Sequence, residues 1–195
     1  GKFMAAAQLG PKAQEQLTDY FTGSAQRADY EPRVYITTGL LLAMEPRQPN
    51  QQLHEISHLV GQWVNWVNKQ PGAFVSSEVC RAIAKQFFGS ELAVDFSTYE
   101  GKALCALKIQ DRENIKESLV LCDWLWPITY VESTEGHVGD PSLESKVYSA
   151  ITGHEVDEDQ LNKFGERIFN LQRAIWARDG HRGRDADTVP ASWFT

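Results

Sequence analysis

Asp157-Glu158-Asp159-Gln160-Leu161-Asn162-Lys163-Phe164-Gly165-Glu166-Arg167-Ile168-Phe169-Asn170-Leu171-Gln172-Arg173-Ala174-Ile175-Trp176-Ala177-Arg178-Asp179-Gly180 is the most strongly patterned stretch of this 195-residue chain. Leu161, Phe164, Ile168, Leu171 and Ile175 recur at steps of three and four, which places them on one stripe of an α-helix. Asp157 stands where an N-cap is needed, and Gln160 completes a capping-box pair three residues on. Gly180 closes the run. The spacing predicts a helix over 158–178 with that stripe turned inward.

The same periodicity extends towards the N-terminus. A short helix is expected over 142–151, with Gly153 as its left-handed terminator. Residues 99–121 read as mostly helical and carry the apolar residues Ala103, Leu107, Ile115 and Leu119. A helix over 77–88 ends at Gly89-Ser90. In 51–69 the stripe is Leu53, Ile56, Val60, Trp63, Val64 and Val67, with His54, Glu55 and Asn65 off its centre. Residues 33–44 form an apolar run that suits a buried helix, stopped by Pro46 and Pro49. Another short helix is expected over 11–20, followed by a loop from Phe21. Residues 132–141 make a polar, Gly-containing loop. No repeat, heptad array or strand alternation competes, so the fold class is all-α.

Hydrophobic residues at 42% and charged residues at 23% are the balance of a folded globular protein. The formal net charge of -7 works against a nucleic-acid partner, which needs a concentrated basic face. The one basic concentration, Arg178 to Arg184, is interrupted by Asp179 and followed by Asp185. No run approaches the roughly 20 apolar residues of a membrane span. No signal-type segment opens the chain, and Gly1 stands where a start Met would. An internal piece of a longer protein is therefore expected. Cys80, Cys105 and Cys122 give an odd count without a Cys-x-x-Cys pair, which fits a reducing cytoplasm better than a disulfide framework. Three scattered thiols also fall short of the four that an iron–sulfur cube wants.

Three constellations could carry chemistry. His54-Glu55-Ile56-Ser57-His58 is a His-Glu-x-x-His pattern on a helix. Imidazoles at i and i+4 share a face and can bind zinc while the glutamate activates water, with Glu78 on the next helix as third ligand. Against that zinc hydrolase stand the shortness of the pattern and the absence of an upstream substrate-binding sheet. The second constellation is Glu117-Ser118-Leu119-Val120-Leu121-Cys122 at the end of a helix. Its plain reading is a helix terminus with a small buried thiol. The third is the helix from Gly165 together with the charged tail Arg184-Asp185-Ala186-Asp187-Thr188-Val189-Pro190, plainly a packing helix with surface ion pairs.

Residues 165–190 resemble the C-terminal signature of the aldehyde ferredoxin oxidoreductases almost throughout. That signature is a Gly-Glu-Arg-Ile-(aromatic)-Asn-Leu-(acidic or Gln)-Arg helix, an Arg-(acidic)-Gly step and a basic-acidic tail ending in Pro. Ala150-Ile151-Thr152-Gly153 is similar to the family's segment before that helix. The Cys122 region resembles the family's Asp-x-x-Gly-Leu-Cys element, with Glu117 in place of Asp and Val120 in place of Gly. Tyr30-Glu31-Pro32-Arg33 and Glu45-Pro46-Arg47 resemble Pro-Arg steps that precede a site histidine, for which His54 is the local candidate. The likeness is strongest from about residue 142 onward and weakest over 76–95.

The resemblance implies a multihelical C-terminal domain over 1–195, about the last third of a larger enzyme whose pterin-binding region and other cluster cysteines lie upstream. It implies a tungsten (or molybdenum) bis-pterin and a [4Fe–4S] cluster, both completed by other parts of the enzyme. Cys122 would be the fourth cluster ligand, Glu117 and Leu121 pterin-contacting residues, and His54 a proton donor or orienter. The implied reaction oxidises an aldehyde to a carboxylic acid and passes electrons to ferredoxin, with relatives acting on aromatic thioesters. The implied partners are the upstream domains, ferredoxin or a similar carrier, and a small-molecule substrate.

Overall fold

The computed structural model describes residues 35–44, 55–122, 125–181 and 183–188. The helix expected over 11–20, the loop after it and the two Pro-Arg steps lie outside the described residues. Six α-helices are present among the described residues: α1 Ile36–Met44, α2 Glu55–Val67, α3 Ser77–Phe88, α4 Lys102–Ser118, α5 Leu143–Thr152 and α6 Glu158–Arg178. Short 3-10 turns cover Glu91–Val94, Glu135–His137 and Arg184–Ala186. The only extended pairing among the described residues is a single antiparallel bridge between Tyr130 and Val138. The chain is all-α, as its periodicity requires.

Capping chemistry sets the helix ends. Ser76 accepts the backbone N–H of Val79 at the start of α3, and Gly89 ends that helix at φ +80. Gly153 ends α5 at φ +72. Asp157 accepts from Gln160 N–H at 2.8 Å while the Gln160 side chain accepts from Asp157 N–H at 3.0 Å, the reciprocal pair expected at the head of α6.

The core joins Leu41 of α1, Ile56 and Leu59 of α2, Ile83, Phe87 and Phe88 of α3, and Cys105 and Ile109 of α4. Helix α4 is its axis, packed against α1, α3 and α6. Every residue from Ile109 to Lys116 is buried, including five that carry charge or an amide besides Lys116. Of the apolar residues read along this segment, Ile115 is buried, whereas Ala103 and Leu107 are exposed and Cys105, Ala106 and Ile109 face the core in their place. The cause is enclosure of the second half of the helix: from Ile109 to Lys116 neighbours surround it, while its first turns keep an exposed side, so a single apolar stripe does not describe it.

Two other stripes also stop short. In α2, Ile56, Leu59 and Val60 are buried, whereas Val64 and Val67 are exposed. In α6, Leu161 is buried, but Leu171 is 62% exposed and Ile175 is also exposed. Gly165 marks the closest approach. A Cβ built there would lie 2.1 Å from the carbonyl oxygen of Asp111 in α4, so the two backbones touch where only glycine fits.

The contrast with Gly61 in α2 yields a prediction of opposite signs. Nothing lies within 4 Å of a Cβ at Gly61, so Gly61→Ala should stabilise the protein by up to ~1 kcal/mol through helix propensity. Gly165→Ala should destabilise it by about 1–3 kcal/mol, because α4 and α6 must separate. Chemical denaturation midpoints of the two variants check this; a stabilising Gly165→Ala would contradict the close packing.

Candidate functional site

The charged residues buried along α4 close a network around Glu55 at the start of α2. One Glu55 carboxylate oxygen accepts from Arg112 Nη1 at 2.9 Å and the other lies 3.1 Å from Lys116 Nζ. Lys116 also pairs with Glu113 at 2.8 Å, and Arg112 approaches Glu144 of α5 at 4.0 Å. Arg112 further donates to the carbonyl of Phe87 at 3.1 Å and sits 5.3 Å from that ring's centroid. Burial opposes the charge on Arg112, but Glu55 and Glu144 outweigh it and hold its pKa above the usual guanidinium value.

That network corrects the zinc-hydrolase expectation. Both Glu55 oxygens face cations and its side chain is 1% exposed, so no water reaches it for activation. His58 Nε2 lies 3.4 Å from the hydroxyl of Tyr130, with the two rings 5.8 Å apart. Burial raises the pKa of that phenol. Glu78 is exposed in the first turn of α3. Among the described residues no three His, Cys, Asp or Glu side chains gather as metal ligands. His54 lies outside the described residues.

The second constellation sits where α4 ends. Leu121 N–H bonds the carbonyl of Lys116 at 2.9 Å and Val120 N–H bonds that of Glu117 at 3.1 Å. This is the paired closure of a Schellman motif, with Val120 in the position that needs a left-handed residue. Its φ is +55, a conformation that strains a β-branched side chain. Glycine stands at this place in the family motif that the segment resembles, so Val120 keeps a glycine's backbone geometry without being one. Its side chain is 89% exposed.

Beyond it, Leu121 is half-buried and Cys122 is exposed. The carbonyl of Cys122 accepts from Leu125 N–H at 3.0 Å and Trp126 N–H at 2.9 Å, a turn that brings those two residues back to the cysteine. The carbonyl of Trp126 in turn accepts from Lys116 Nζ at 3.2 Å. Lys116 therefore joins the buried network to the cysteine turn. Sequence reading passed over this residue because Asp111-Arg112-Glu113-Asn114-Ile115-Lys116 looks like a solvated helix face. The available signal was the opposite charges at Glu113 and Lys116, spaced i,i+3.

The other two cysteines are core residues. Burial pushes the Cys80 thiol up to about 11 and the Cys105 thiol up to about 12. Of the three, Cys122 alone is exposed and available to a ligand.

The third constellation is a set of packing and tail contacts. Gln172 donates to Asn114 of α4 at 3.1 Å, and Arg173 grips Asp187 in the tail through two bonds of 2.7 and 2.8 Å. Trp176 lies beside Arg173 and stacks on His181 at 4.9 Å. Burial, then the neighbouring Glu166, raises the Asp111 carboxyl to about 6. A cleft of about 440 Å³ bordered by Trp63, Cys80, Arg81, Asp95 and Phe96 is lined by neither Cys122 nor His58.

Val120 supplies a direct test of the α4 terminus. Val120→Gly removes the left-handed strain and should raise stability by about 1 kcal/mol, whereas a Gly placed elsewhere in a helix lowers it. A denaturation midpoint that falls for Val120→Gly would show that the residue is not held at positive φ.

The family model described as "Aldehyde ferredoxin oxidoreductase, domains 2 & 3" matches residues 1–195. No solved structure matches the chain significantly. Among the described residues, no helix is long and apolar enough to cross a membrane. The family match takes in the whole sequence, including the α4 terminus and the Gly165 helix that carry the resemblance; the chain belongs to the aldehyde ferredoxin oxidoreductase family of oxidoreductases.

Proposed function

We propose that this chain is the C-terminal helical part of an enzyme that oxidises aldehydes to carboxylic acids with a tungsten- or molybdenum-pterin and a [4Fe–4S] cluster, passing electrons to ferredoxin. The observation that carries the reading is the position of Cys122. It is the exposed cysteine of the three, it follows the Schellman end of α4, and its segment resembles the family motif that carries a cluster ligand. A thiolate at the rim of a helical domain suits a cluster whose other ligands come from elsewhere in the enzyme.

When bound, the pterin-held metal and the cluster supply the redox chemistry, accepting two electrons from aldehyde and water and releasing them singly. The reaction also releases two protons with the acid, and His54 is the group assigned to handle one of them at an imidazole nitrogen. Cys122 would hold iron as a thiolate. Glu117 and Leu121, flanking the left-handed Val120, are the residues assigned to the pterin. The free thiols Cys80, Cys105 and Cys122 support a reducing, cytoplasmic setting. The remaining partners are the upstream domains and a small aldehyde or related substrate.

Cysteine variants of the full-length enzyme, purified without oxygen, test the assignment. Cys122→Ser should lower iron from about four per chain to well below one. Cys105→Ala should cost stability while keeping its iron. His54→Ala should retain metal and lose turnover by about 10²–10⁴-fold. Full iron in Cys122→Ser would reject the ligand assignment.

A further inference from the structure

Lys116 is among the most deeply buried side chains of the described residues, at 1% exposure, yet it ends in an ammonium. Burying such a charge is costly unless oxygen partners surround it. Among the described residues, Glu55 at 3.1 Å, Glu113 at 2.8 Å and the carbonyl of Trp126 at 3.2 Å do so. The carboxylates fix the ammonium from the core side. The third partner belongs to the turn that presents Cys122.

The same residue holds the turn a second time. Its backbone carbonyl accepts from Leu121 N–H at 2.9 Å, one residue before the cysteine. Trp126, whose carbonyl takes the ammonium, donates its own N–H to the carbonyl of Cys122 at 2.9 Å. Both flanks of an otherwise exposed cysteine are thus tied to one buried residue. Val120 and Leu125, on either side of the cysteine, are both exposed.

We infer that Lys116 is a positioning residue for Cys122, fixing the turn that carries the thiol and coupling the start of α2, through Glu55, to the grip on an iron–sulfur cluster. This rests on the reading of Cys122 as a cluster ligand. The ammonium reaches the turn through the backbone carbonyl of Trp126. Groups that orient a metal ligand from behind typically change metal retention by about 10–100-fold when removed.

The test uses full-length enzyme purified without oxygen and compares Lys116→Gln, Arg112→Lys and Cys122→Ser. The readouts are the rate of iron release to a ferrous chelator and the electron paramagnetic resonance spectrum of the reduced cluster. Rates are taken at equal intervals below each variant's unfolding temperature. Arg112→Lys weakens the same buried network without touching the turn, so a purely structural role for Lys116 predicts equal behaviour for both. Positioning predicts release at least about 10-fold faster and an altered spectrum for Lys116→Gln, with Arg112→Lys like the parent. If Lys116→Gln does not fold, Lys116→Arg replaces it: the charge stays, but a planar fork meets the Trp126 carbonyl and faster release is again expected. Parent-like release in the Lys116 variant, with iron lost in Cys122→Ser, overturns the positioning role and leaves the ligand assignment standing. Full iron in Cys122→Ser overturns both.

Discussion

Glu55, wedged between Arg112 and Lys116, is the constraint around which the described fold is arranged. Removing a carboxylate and two cations from water costs several kcal/mol per ion, and that cost is offset only where partners meet at bonding distance. Helices α2 and α4 must therefore pack in one register, with α3 close enough for Phe87 to take Arg112 through its carbonyl and its ring. Glu144 brings α5 to the same cluster. Three carboxylates thus face two cations inside the helical core, and breaking one pair is expected to cost about 3–5 kcal/mol. The arrangement selects one packing of the helices over sliding alternatives that a purely apolar core would tolerate.

From that fixed axis, α4 delivers its C-terminal end to the surface. The Schellman closure reverses the chain at Val120, and Lys116 anchors the next turn by both its carbonyl and its ammonium. A ligand residue gains from such support, because an exposed thiol on a slack loop would spread over many positions and hold iron weakly. The C-terminal signature serves the same end from the opposite side. Gly165 lets α6 lie directly on α4 at Asp111, Gln172 reaches Asn114, and Arg173 folds the tail back through Asp187. The most recognisable part of the sequence is thus largely scaffold for α4.

Much of this was legible in the residues and some was not. The C-terminal ends of α3 and α5 followed from Gly89 and Gly153, and the head of α6 from the Asp157–Gln160 pair, because capping is local chemistry that needs no knowledge of neighbours. The burial of α4 was not legible. Its charged segment is enclosed by partners drawn from α2 and α5, and sequence spacing along one helix cannot register contacts 57 residues apart, such as Arg112 with Glu55. The His-Glu-x-x-His pattern misled for the same reason: its glutamate answers to α4 rather than to a metal. At the α4 terminus, substitution of the motif's glycine by Val120 hid a backbone geometry that the fold retains at φ +55.

The most direct check is elemental analysis of the full-length parent enzyme purified without oxygen. The account predicts tungsten or molybdenum together with about four irons per chain for one cube. About one zinc per chain, with neither tungsten, molybdenum nor iron, would contradict it.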